Sequence, residues 1–329
     1  MKQKNSGCVP LHAVIWAMDP FQMDTTPNWD SVRELTRWVK AGKLALQPVH
    51  ILSMPRPEGS RHVGLHHYVP AAQKLTDQSV HALGMSRALP AVVITEKSSS
   101  TADAVRKILC LSGEVDSPLI VVSSHGRSGI GRLMFGSFSE KLLLTSRHPV
   151  LFLNHSEVSA SVSPTSRVLF PTDFSTFSFR AFVRFLRDLT SKDSEVIVLH
   201  AISLYAMVAT DYGATGAFSV PENYFSEQER LANDEGVKWK QAAQALGVPV
   251  RFVIADSGYS CNVAECIFDI AEREQVSLIA MASVSGELKS IVAGSVARDV
   301  IRKQMYPVWV CGPTLLQEDT QSSKRVSQA

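Results

Sequence analysis

The residues best placed to do chemistry in this sequence lie in one glycine-rich segment, which runs from Ser123 to Ser137. Glycine lets backbone amides approach an anion without an intervening side chain, and consecutive amides in such a loop can form a concave anion site. A helix that begins at Ser137 would add unpaired amides and the positive end of its dipole, which both favour a phosphate. The chemistry indicated is phosphate binding, and the glycines that would provide it are Gly126, Gly129, Gly131 and Gly136.

The same segment also has a plainer interpretation, because a glycine-rich turn is weak evidence by itself. Ser137 and Glu140 are spaced as a capping box, which would give that serine a purely structural role. His125, Arg127 and Arg132 would add favourable charge around a phosphate, although an exposed arginine is more often merely solvated. On this segment alone, a phosphate site and an ordinary turn both remain open.

Asp19 follows the first apolar run of the sequence. Its carboxylate could accept hydrogen bonds from a ribose hydroxyl or an adenine amine at the other end of a nucleotide. Considered alone, an aspartate in this position is more typical of a helix cap or a turn. The role of Asp19 therefore depends on what lies around it.

Two further groups of residues invite a metal or redox interpretation, and we predict neither role. The segment 55–69 contains His62, His66 and His67, but no neighbouring cysteine or acidic cluster completes a coordination set, so a loop is predicted. The five cysteines form no CxxC pair, which fits a reducing compartment and ordinary packing. We predict no metal site and no catalytic residue.

The elements that position the glycine segment alternate between short apolar runs and helical periodicity, which predicts crossover units feeding a parallel sheet. The first half has strand-like runs near 13–17, 48–52, 91–95, 119–122 and 150–153, and Val32, Leu35 and Val39 mark its first helix face. The second half has such runs near 168–170, 196–202, 250–254, 278–281 and 308–311. Its first helix would be capped by Ser175 or Ser178. Ligands of open parallel sheets bind beyond the carboxyl ends of the strands, where the strand order reverses.

The two halves of the sequence repeat one another. Gly294 and Ser295 follow Gly136 and Ser137 at an offset of 158 residues, and in each half a helical stretch, a proline and an apolar strand come next. The segment between the halves is rich in Ser, Thr and Val, which is typical of a flexible connection. We predict a first domain over 1–154, a linker over 155–166, a second domain over 167–315 and a disordered tail over 316–329.

Composition narrows the partners and the compartment. The 329 residues are 45% hydrophobic and 19% charged, with a formal net charge of +2, which is ordinary for a globular protein. This weak field and the lack of a Lys/Arg-rich block argue against a nucleic-acid partner. No apolar run approaches the roughly 20 residues needed to span a bilayer, so we expect no membrane association and a cytoplasmic protein.

The spacing Ser123-x2-Gly126-x9-Gly136-Ser137, together with Asp19, resembles the universal stress protein pattern Gly-x2-Gly-x9-Gly-Ser/Thr, in which an aspartate ends strand one. The run from Val168 to Ser175 is similar to the family's first strand, and the similarity extends from about residue 13 to 312. The resemblance implies an α/β fold with two tandem five-stranded parallel sheets and helices on both faces. This fold is Rossmann-like, of the adenine nucleotide alpha hydrolase type.

The resemblance also implies a ligand and the residues that hold it. In the ATP-binding branch of the family, the strand-one aspartate and the strand-two backbone hold adenine, and the glycine loop holds the phosphates. Ser123 replaces the first glycine of the pattern. ATP, with or without Mg²⁺, is the expected ligand, and by position its site comprises Asp19, Ile51, Ser123, Gly126, Gly136, Ser137, Phe138 and Ser139.

The second half departs further from this pattern. At the same spacing it reads Met281-x2-Val284-x9-Gly294-Ser295, so bulky side chains replace both leading glycines although Asp173 persists. We expect this half to bind nucleotide poorly or not at all. Because single-domain relatives commonly dimerise, the two domains are expected to pack as a pseudo-dimer, and further homodimerisation is left open.

Three functions are compatible with these patterns. The leading one is a stress-response regulator that binds an adenine nucleotide and acts on an unidentified protein partner; the alternative is a nucleotide-free interaction module. A slow ATP-hydrolysing enzyme is less favoured, because there is no Walker A loop and no constellation of nucleophile, base and orienting group. We therefore expect that the protein is not an enzyme.

Overall fold

The computed structural model describes residues 13–18, 45–53, 68–82, 88–96, 100–115, 117–123, 137–153, 166–188, 194–202, 224–256, 262–284, 294–303 and 305–315. Elements are numbered along the chain within these ranges. The first half contains β1 (Ala13–Ala17), β2 (Ala45–Ser53), α1 (Tyr68–Ala82), β3 (Val92–Glu96), α2 (Thr101–Gly113), β4 (Pro118–Ser123), α3 (Ser137–Thr145) and β5 (Val150–Leu153).

The second half repeats the alternation of strands and helices. It contains β6 (Ser166–Pro171), α4 (Thr176–Asp188), β7 (Ser194–Ile202), α5 (Tyr224–Ala245), β8 (Val250–Asp256), α6 (Val263–Arg273), β9 (Leu278–Ala282), α7 (Ser295–Lys303) and β10 (Val308–Cys311). All ten strands expected from the apolar runs form. The expected helix face of Val32, Leu35 and Val39 lies outside the described residues.

The ten strands form one sheet in the order β3-β2-β1-β4-β5-β10-β9-β6-β7-β8. Each half contributes five parallel strands in the same relative order, and in each half the strand order reverses between its first and fourth strands. The halves meet where β5 pairs with β10 in antiparallel register, with Leu151 opposite Trp309. The parallel α/β architecture expected from the sequence is present, and its two five-stranded units are joined through their outermost strands, β5 and β10.

Helices cover both faces of this sheet, because alternate residues of each strand point to opposite sides. On one side, Val121 and Phe170 belong to a core shared with Val80 of α1, Phe182 of α4 and Trp239 of α5. On the other side, the neighbouring strand residues belong to a core shared with α2, α3, α6 and α7; these strand residues include Ile120, Val122, Leu169 and Ile279. Both cores run through the two halves.

Two hydrogen bonds tie the halves together away from the paired edge strands. The Thr314 hydroxyl donates to the Leu144 carbonyl oxygen over 2.7 Å, and the Arg184 guanidinium donates to Ser117 Oγ over 2.6 Å. Arg184 lies on α4 of the second half, whereas Ser117 precedes β4 of the first. The contact between the halves therefore involves helix and loop residues as well as β5 and β10.

Of the two serines considered as the cap of α4, Ser175 has this role. Its Oγ accepts a hydrogen bond of 3.2 Å from the Ser178 amide, and its carbonyl oxygen accepts one of 3.0 Å from the Phe179 amide. The first bond satisfies a donor that the first turn of a helix leaves unpaired, and the second is the first regular bond of the helix, which the carbonyl of a capping residue accepts. Ser178 lies within the helix, where it is buried.

Candidate functional site

In the first half, the strand order reverses where β1 lies between β2 and β4. Ala17 pairs with Val49 of β2 on one side and with Val122 of β4 on the other. The Met18 amide then donates a 3.0 Å hydrogen bond to the Val49 carbonyl oxygen, so the chain is still held to β2 as it leaves β1. The carboxyl ends of these strands therefore lie side by side and form one edge of the sheet, which we call the carboxyl edge and where parallel sheets bind ligands.

The structure describes five of the eight residues expected to form the nucleotide site. Ile51 lies in β2 and packs against the same hydrophobic core as Phe138 of α3. Ser123 ends β4, opposite Leu153 of β5. Ser137 is exposed at the first residue of α3, and Ser139 is half-buried in its first turn. The other three residues, Asp19, Gly126 and Gly136, lie outside the described part of the chain, as do His62, His66 and His67.

Two histidines that the sequence did not single out lie beside this edge, one in each half. His50 of β2 is buried, and its Nδ1 is 3.1 Å from the Met18 carbonyl oxygen. His200 of β7 repeats the arrangement, with its Nδ1 3.0 Å from the Thr172 carbonyl oxygen. Each imidazole therefore links strand two of its half to the residue that follows strand one. The available signal was the recurrence of a histidine near the end of the second strand in both halves.

The second half has a cavity of about 450 Å³, partly open to solvent, at the corresponding edge. Its walls come from the carboxyl ends of β6, β7 and β9 and from the first turns of α6 and α7. This volume lies within the range of small-molecule sites. The walls are mostly apolar, and the polar residues that line the cavity are Thr172, Asp173, Ser178, His200 and Gln228.

Strand pairing shows which residues of the two halves correspond at this edge. Ile15 pairs with Ile120 in the first half, and its counterpart Leu169 pairs with Ile279 in the second. The offset between β4 and β9 is therefore 159 residues, one more than the offset read from the glycine loop. Met281 consequently corresponds to Val122, and Ala282 is the residue that occupies the place of Ser123.

With this register, the second half brings together the counterparts of most of the expected site residues. Five of them line the single cavity after β6, β7 and β9: Asp173, Ala201, Ala282, Val296 and Ala297. They correspond in turn to Asp19, Ile51, Ser123, Phe138 and Ser139. Residues that are far apart in the sequence thus converge on one cavity in this repeat of the fold.

The same cavity is poorly equipped for a phosphate. Met281 and Val284 both line it, and each exposes only about a twentieth of its surface. The Gly294 amide, which corresponds to that of Gly136, donates a 2.6 Å hydrogen bond to the Ser283 carbonyl oxygen. This amide is therefore already used within the protein, at a position where a phosphate loop would offer it to the ligand.

Asp173 forms a turn, which was one of the plainer alternatives for its counterpart Asp19. Its Oδ1 accepts a 3.0 Å hydrogen bond from the Ser175 amide and a 2.6 Å hydrogen bond from the Ser178 hydroxyl. Both donors belong to the start of α4. The Asp173 side chain thus orders the turn between β6 and α4 at the mouth of the cavity.

The comparison with known proteins agrees with this architecture. The model of the family described as "Universal stress protein family" matches the chain twice, over residues 33–154 and 164–312. The chain belongs to the universal stress protein family. One matching segment is 31% identical over 150 residues to the universal stress protein MJ0577 of Methanocaldococcus jannaschii, and it covers 44% of this chain and 93% of that protein.

Two solved structures share the fold over nearly the whole chain. A universal stress protein from Archaeoglobus fulgidus has a TM-score of 0.54 and 20% identity, and the match covers 91% of this chain and 96% of that one. The protein PA1789 from Pseudomonas aeruginosa, described as functionally unknown, has a TM-score of 0.56 and 12% identity, with coverages of 95% and 98%. Because the family model matches each half separately, the residues of the two halves can be compared position by position.

The described residues contain no cluster of three or more His, Cys, Asp or Glu side chains arranged to hold a metal ion. Every helix in the described ranges is also too short or too polar to cross a bilayer.

Proposed function

We propose that this universal stress protein is a stress-response regulator that binds ATP or another adenine nucleotide, chiefly in its first domain. The proposed site lies at the carboxyl ends of β1, β2 and β4. Asp19 and the backbone around Ile51 would hold adenine, and the chain from Ser123 to Ser139 would hold the phosphates. The domain boundaries proposed are 1–154 and 167–315, with the linker 155–166 between them and the tail 316–329 at the end.

The observation that carries this proposal is the cavity of the second domain. The counterparts of five proposed site residues converge on it, although they come from four separate segments of that domain. Because both domains have the same strand order, the first domain is expected to bring its own residues to the same edge. The Gly126, Gly136 and Ser137 set then adds a phosphate loop, which a structural turn alone would not require.

We further propose that the second domain binds nucleotide weakly or not at all. Two observations support this division of work: the bulky Met281 and Val284 side chains line the cavity, and the Gly294 amide is paired with Ser283. The second domain would instead act as a packing partner. Its antiparallel β10–β5 pairing supports the proposal that the two domains form a pseudo-dimer within one chain.

The site is proposed to bind its nucleotide without turning it over at an appreciable rate. Efficient hydrolysis would need a positioned base and a metal-holding carboxylate pair close to the phosphates. The segment assigned to the phosphates, 123–139, contains no Asp or Glu and therefore supplies no carboxylate pair for a metal ion. Binding would then alter how the protein recognises a regulatory partner.

The direct test is to purify the full chain natively, release its bound small molecules and identify them by mass spectrometry, followed by calorimetric titration with ATP. Gly126→Val should remove both the co-purified nucleotide and the calorimetric signal, while circular dichroism shows a folded protein. A wild-type chain that carries no adenine nucleotide and gives no heat with ATP would refute the proposal.

A matched pair of substitutions assigns the working domain. Gly136→Val and Gly294→Val introduce the same side chain at corresponding positions, each immediately before the serine that begins a helix. We expect Gly136→Val to lose nucleotide and Gly294→Val to retain the wild-type amount. Loss in the Gly294→Val variant alone would show that the second domain is the binding domain.

A further inference from the structure

An open groove lies between α2 and α3 of the first half, and none of the residues that line it belongs to the proposed nucleotide site, although Lys141 follows that site on the same helix. Its volume is about 420 Å³, which is large enough for a small organic molecule. Its apolar part comes from Val105 and Leu109, and its polar part comes from Arg106, Lys141, Arg147 and His148. Universal stress protein architecture repeats in this chain, so the second half provides an internal reference for this groove.

In the second half, aromatic side chains lie in the region beside the corresponding helices, α6 and α7. Phe268 of α6 stacks on Tyr306, with ring centroids 6.4 Å apart and planes inclined by 13°, and both rings are almost fully buried. Lys303 Nζ lies 5.0 Å from the centre of the Phe268 ring and 3.4 Å from Glu265 Oε1. Two aromatic rings and an ion pair therefore occupy this region.

The buried helix faces show which residues of the first half replace the stack. Three of the four buried positions of α2 recur as buried positions 159 residues later in α6, with Val105, Ile108 and Ser112 matching Ala264, Ile267 and Ala271. In this register Leu109 takes the place of Phe268. The helices α3 and α7 correspond at an offset of 158, so His148 takes the place of Tyr306. The smaller Leu109 and His148 side chains leave the groove open.

The charges around the groove change along with its shape. The cations Arg106, Lys141 and Arg147 line it, and in the second half the corresponding residues are Glu265, Asp299 and Met305. Relative to the second half, the first half thus has a positive side chain in place of a negative one at two positions and in place of an uncharged one at the third. Asp103 pairs with Arg106 over 2.6 Å, but none of the described residues that line the groove is acidic. The groove therefore favours an anion.

His148 supplies an uncharged ring at neutral pH. Burial and the neighbouring Arg184 and Arg147 lower the pKa of His148 from its ordinary value of 6.5 to about 4. A neutral imidazole beside Leu109 can stack on a planar ring, as Tyr306 does with Phe268 in the second half.

We infer that this groove is a second ligand site, which binds a small aromatic carboxylate. The aromatic ring of the ligand would occupy the space that the Phe268 ring fills in the second half, and it would lie against His148. The carboxylate of the ligand would face Lys141, Arg106 and Arg147. This site is separate from the proposed nucleotide site, and it requires no nucleotide. It makes the first half responsive to a second class of small molecule.

The test uses 2-naphthoate as the probe and the full chain as the target. Calorimetric titration should show saturable binding with a dissociation constant on the order of 1 mM or below, as expected for a ligand of this size. The neutral analogue 2-naphthalenemethanol should bind more weakly. Equal binding of the two compounds would refute the role of the cations, and no saturable binding of either would refute the site.

Cys110 reports whether the probe occupies this groove, because it is exposed and lines it. Bound 2-naphthoate should slow the alkylation of Cys110, measured by mass spectrometry of its peptide, while the rate at Cys266 on the second half stays unchanged. Binding without protection of Cys110 would place the probe elsewhere and overturn the assignment.

Two kinds of variant connect binding to the named residues. Leu109→Phe with His148→Tyr copies the stack of the second half and should abolish binding in a folded protein. Lys141→Asp copies Asp299 on an exposed side chain, so folding should be preserved and binding weakened at least two- to fivefold, as for loss of an exposed ion pair. Asp299→Asn is the matched control and should bind as the wild type does. Wild-type binding by Lys141→Asp and by the double variant would refute the inference.

Discussion

The backbone of Gly312 lies directly against the carbonyl oxygen of Leu143, so that a Cβ atom on Gly312 would be only 2.2 Å from that oxygen. Gly312 follows β10 of the second half, and Leu143 lies on α3 of the first. The neighbouring hydrogen bond from Thr314 to Leu144 fixes the same approach. A glycine is needed here because the two halves approach one another too closely for any side chain.

Gly312→Ala should therefore destabilise the protein by about 1–3 kcal/mol or more, because the backbone of one half must move away from the other. The measurement is the free energy of unfolding from urea denaturation. Gly113→Ala is the matched control, since no atom lies within 4 Å of a Cβ at this last residue of α2. Gly113→Ala should leave stability unchanged or raise it by up to about 1 kcal/mol. Equal stability of the two variants would contradict the close approach.

Trp239 is the centre of an aromatic cluster under α5. It is fully buried, and its ring centroid lies within 4.6–5.9 Å of four phenylalanine rings: Phe170, Phe174, Phe179 and Phe182. Trp239→Ala should cost about 3–5 kcal/mol, because it removes a large side chain from a packed core and leaves a cavity. The unfolding free energy and the loss of near-ultraviolet circular dichroism would both report this change.

Leu231 provides the control on the same helix. It exposes 46% of its surface, so Leu231→Ala removes few buried contacts and should change stability by less than about 1 kcal/mol. A similar loss of stability in both variants would mean that α5 is held by something other than the Trp239 cluster.

Much of the fold could be predicted because buried parallel strands have continuous apolar sequences. The run from Val150 to Leu153 is such a case: it was predicted as a strand and is fully buried as β5. The partner of that strand could not be predicted. Whether Leu151 meets Trp309 or another chain depends on how two sheet edges fit together, and no local pattern encodes that fit.

The site was predictable in outline but not in detail. A short run of similar apolar residues aligns almost equally well at offsets of 158 and 159, so the sequence matched Met281 with Ser123, whereas the strand pairing matches Met281 with Val122. His50 and His200 were missed for a different reason. A histidine in an apolar strand indicates no function by itself, its recurrence shows only when the two halves are aligned, and its hydrogen bond to the end of strand one exists only after β1 and β2 have paired.

The pKa of His148 predicts how stability depends on pH. An unfolded histidine takes up its proton near pH 6.5, whereas folded His148 does so near pH 4. Between these values the unfolded state binds more protons, so the free energy of unfolding falls as the pH falls from 6.5 to 4. The contribution should be about 1–2 kcal/mol, because the side chain is only half-buried.

His148→Gln removes this titration, and its effect is measured as the difference between the variant and the wild type. The variant should lose less stability than the wild type when urea denaturation at pH 6.5 is repeated at pH 4, since the remaining groups titrate in both proteins. Parallel curves over this pH range would contradict the lowered pKa of His148.

The last prediction concerns Arg184, which joins the two halves. Its guanidinium donates to Ser117 of the first half and pairs with Asp188 on its own helix, where the Asp188 side chain is fully buried and that of Arg184 is nearly so.

Arg184→Met should cost about 3–5 kcal/mol, because a buried carboxylate loses its cation. Replacing both members, as Arg184→Met with Asp188→Leu, should restore most of that loss, since no buried charge then remains without its partner. A double-mutant cycle measured by urea denaturation tests this coupling, and independent, additive effects of the two substitutions would contradict it. Ser117→Ala completes the set: it should cost less than Arg184→Met, because it removes one hydrogen bond and leaves the ion pair intact.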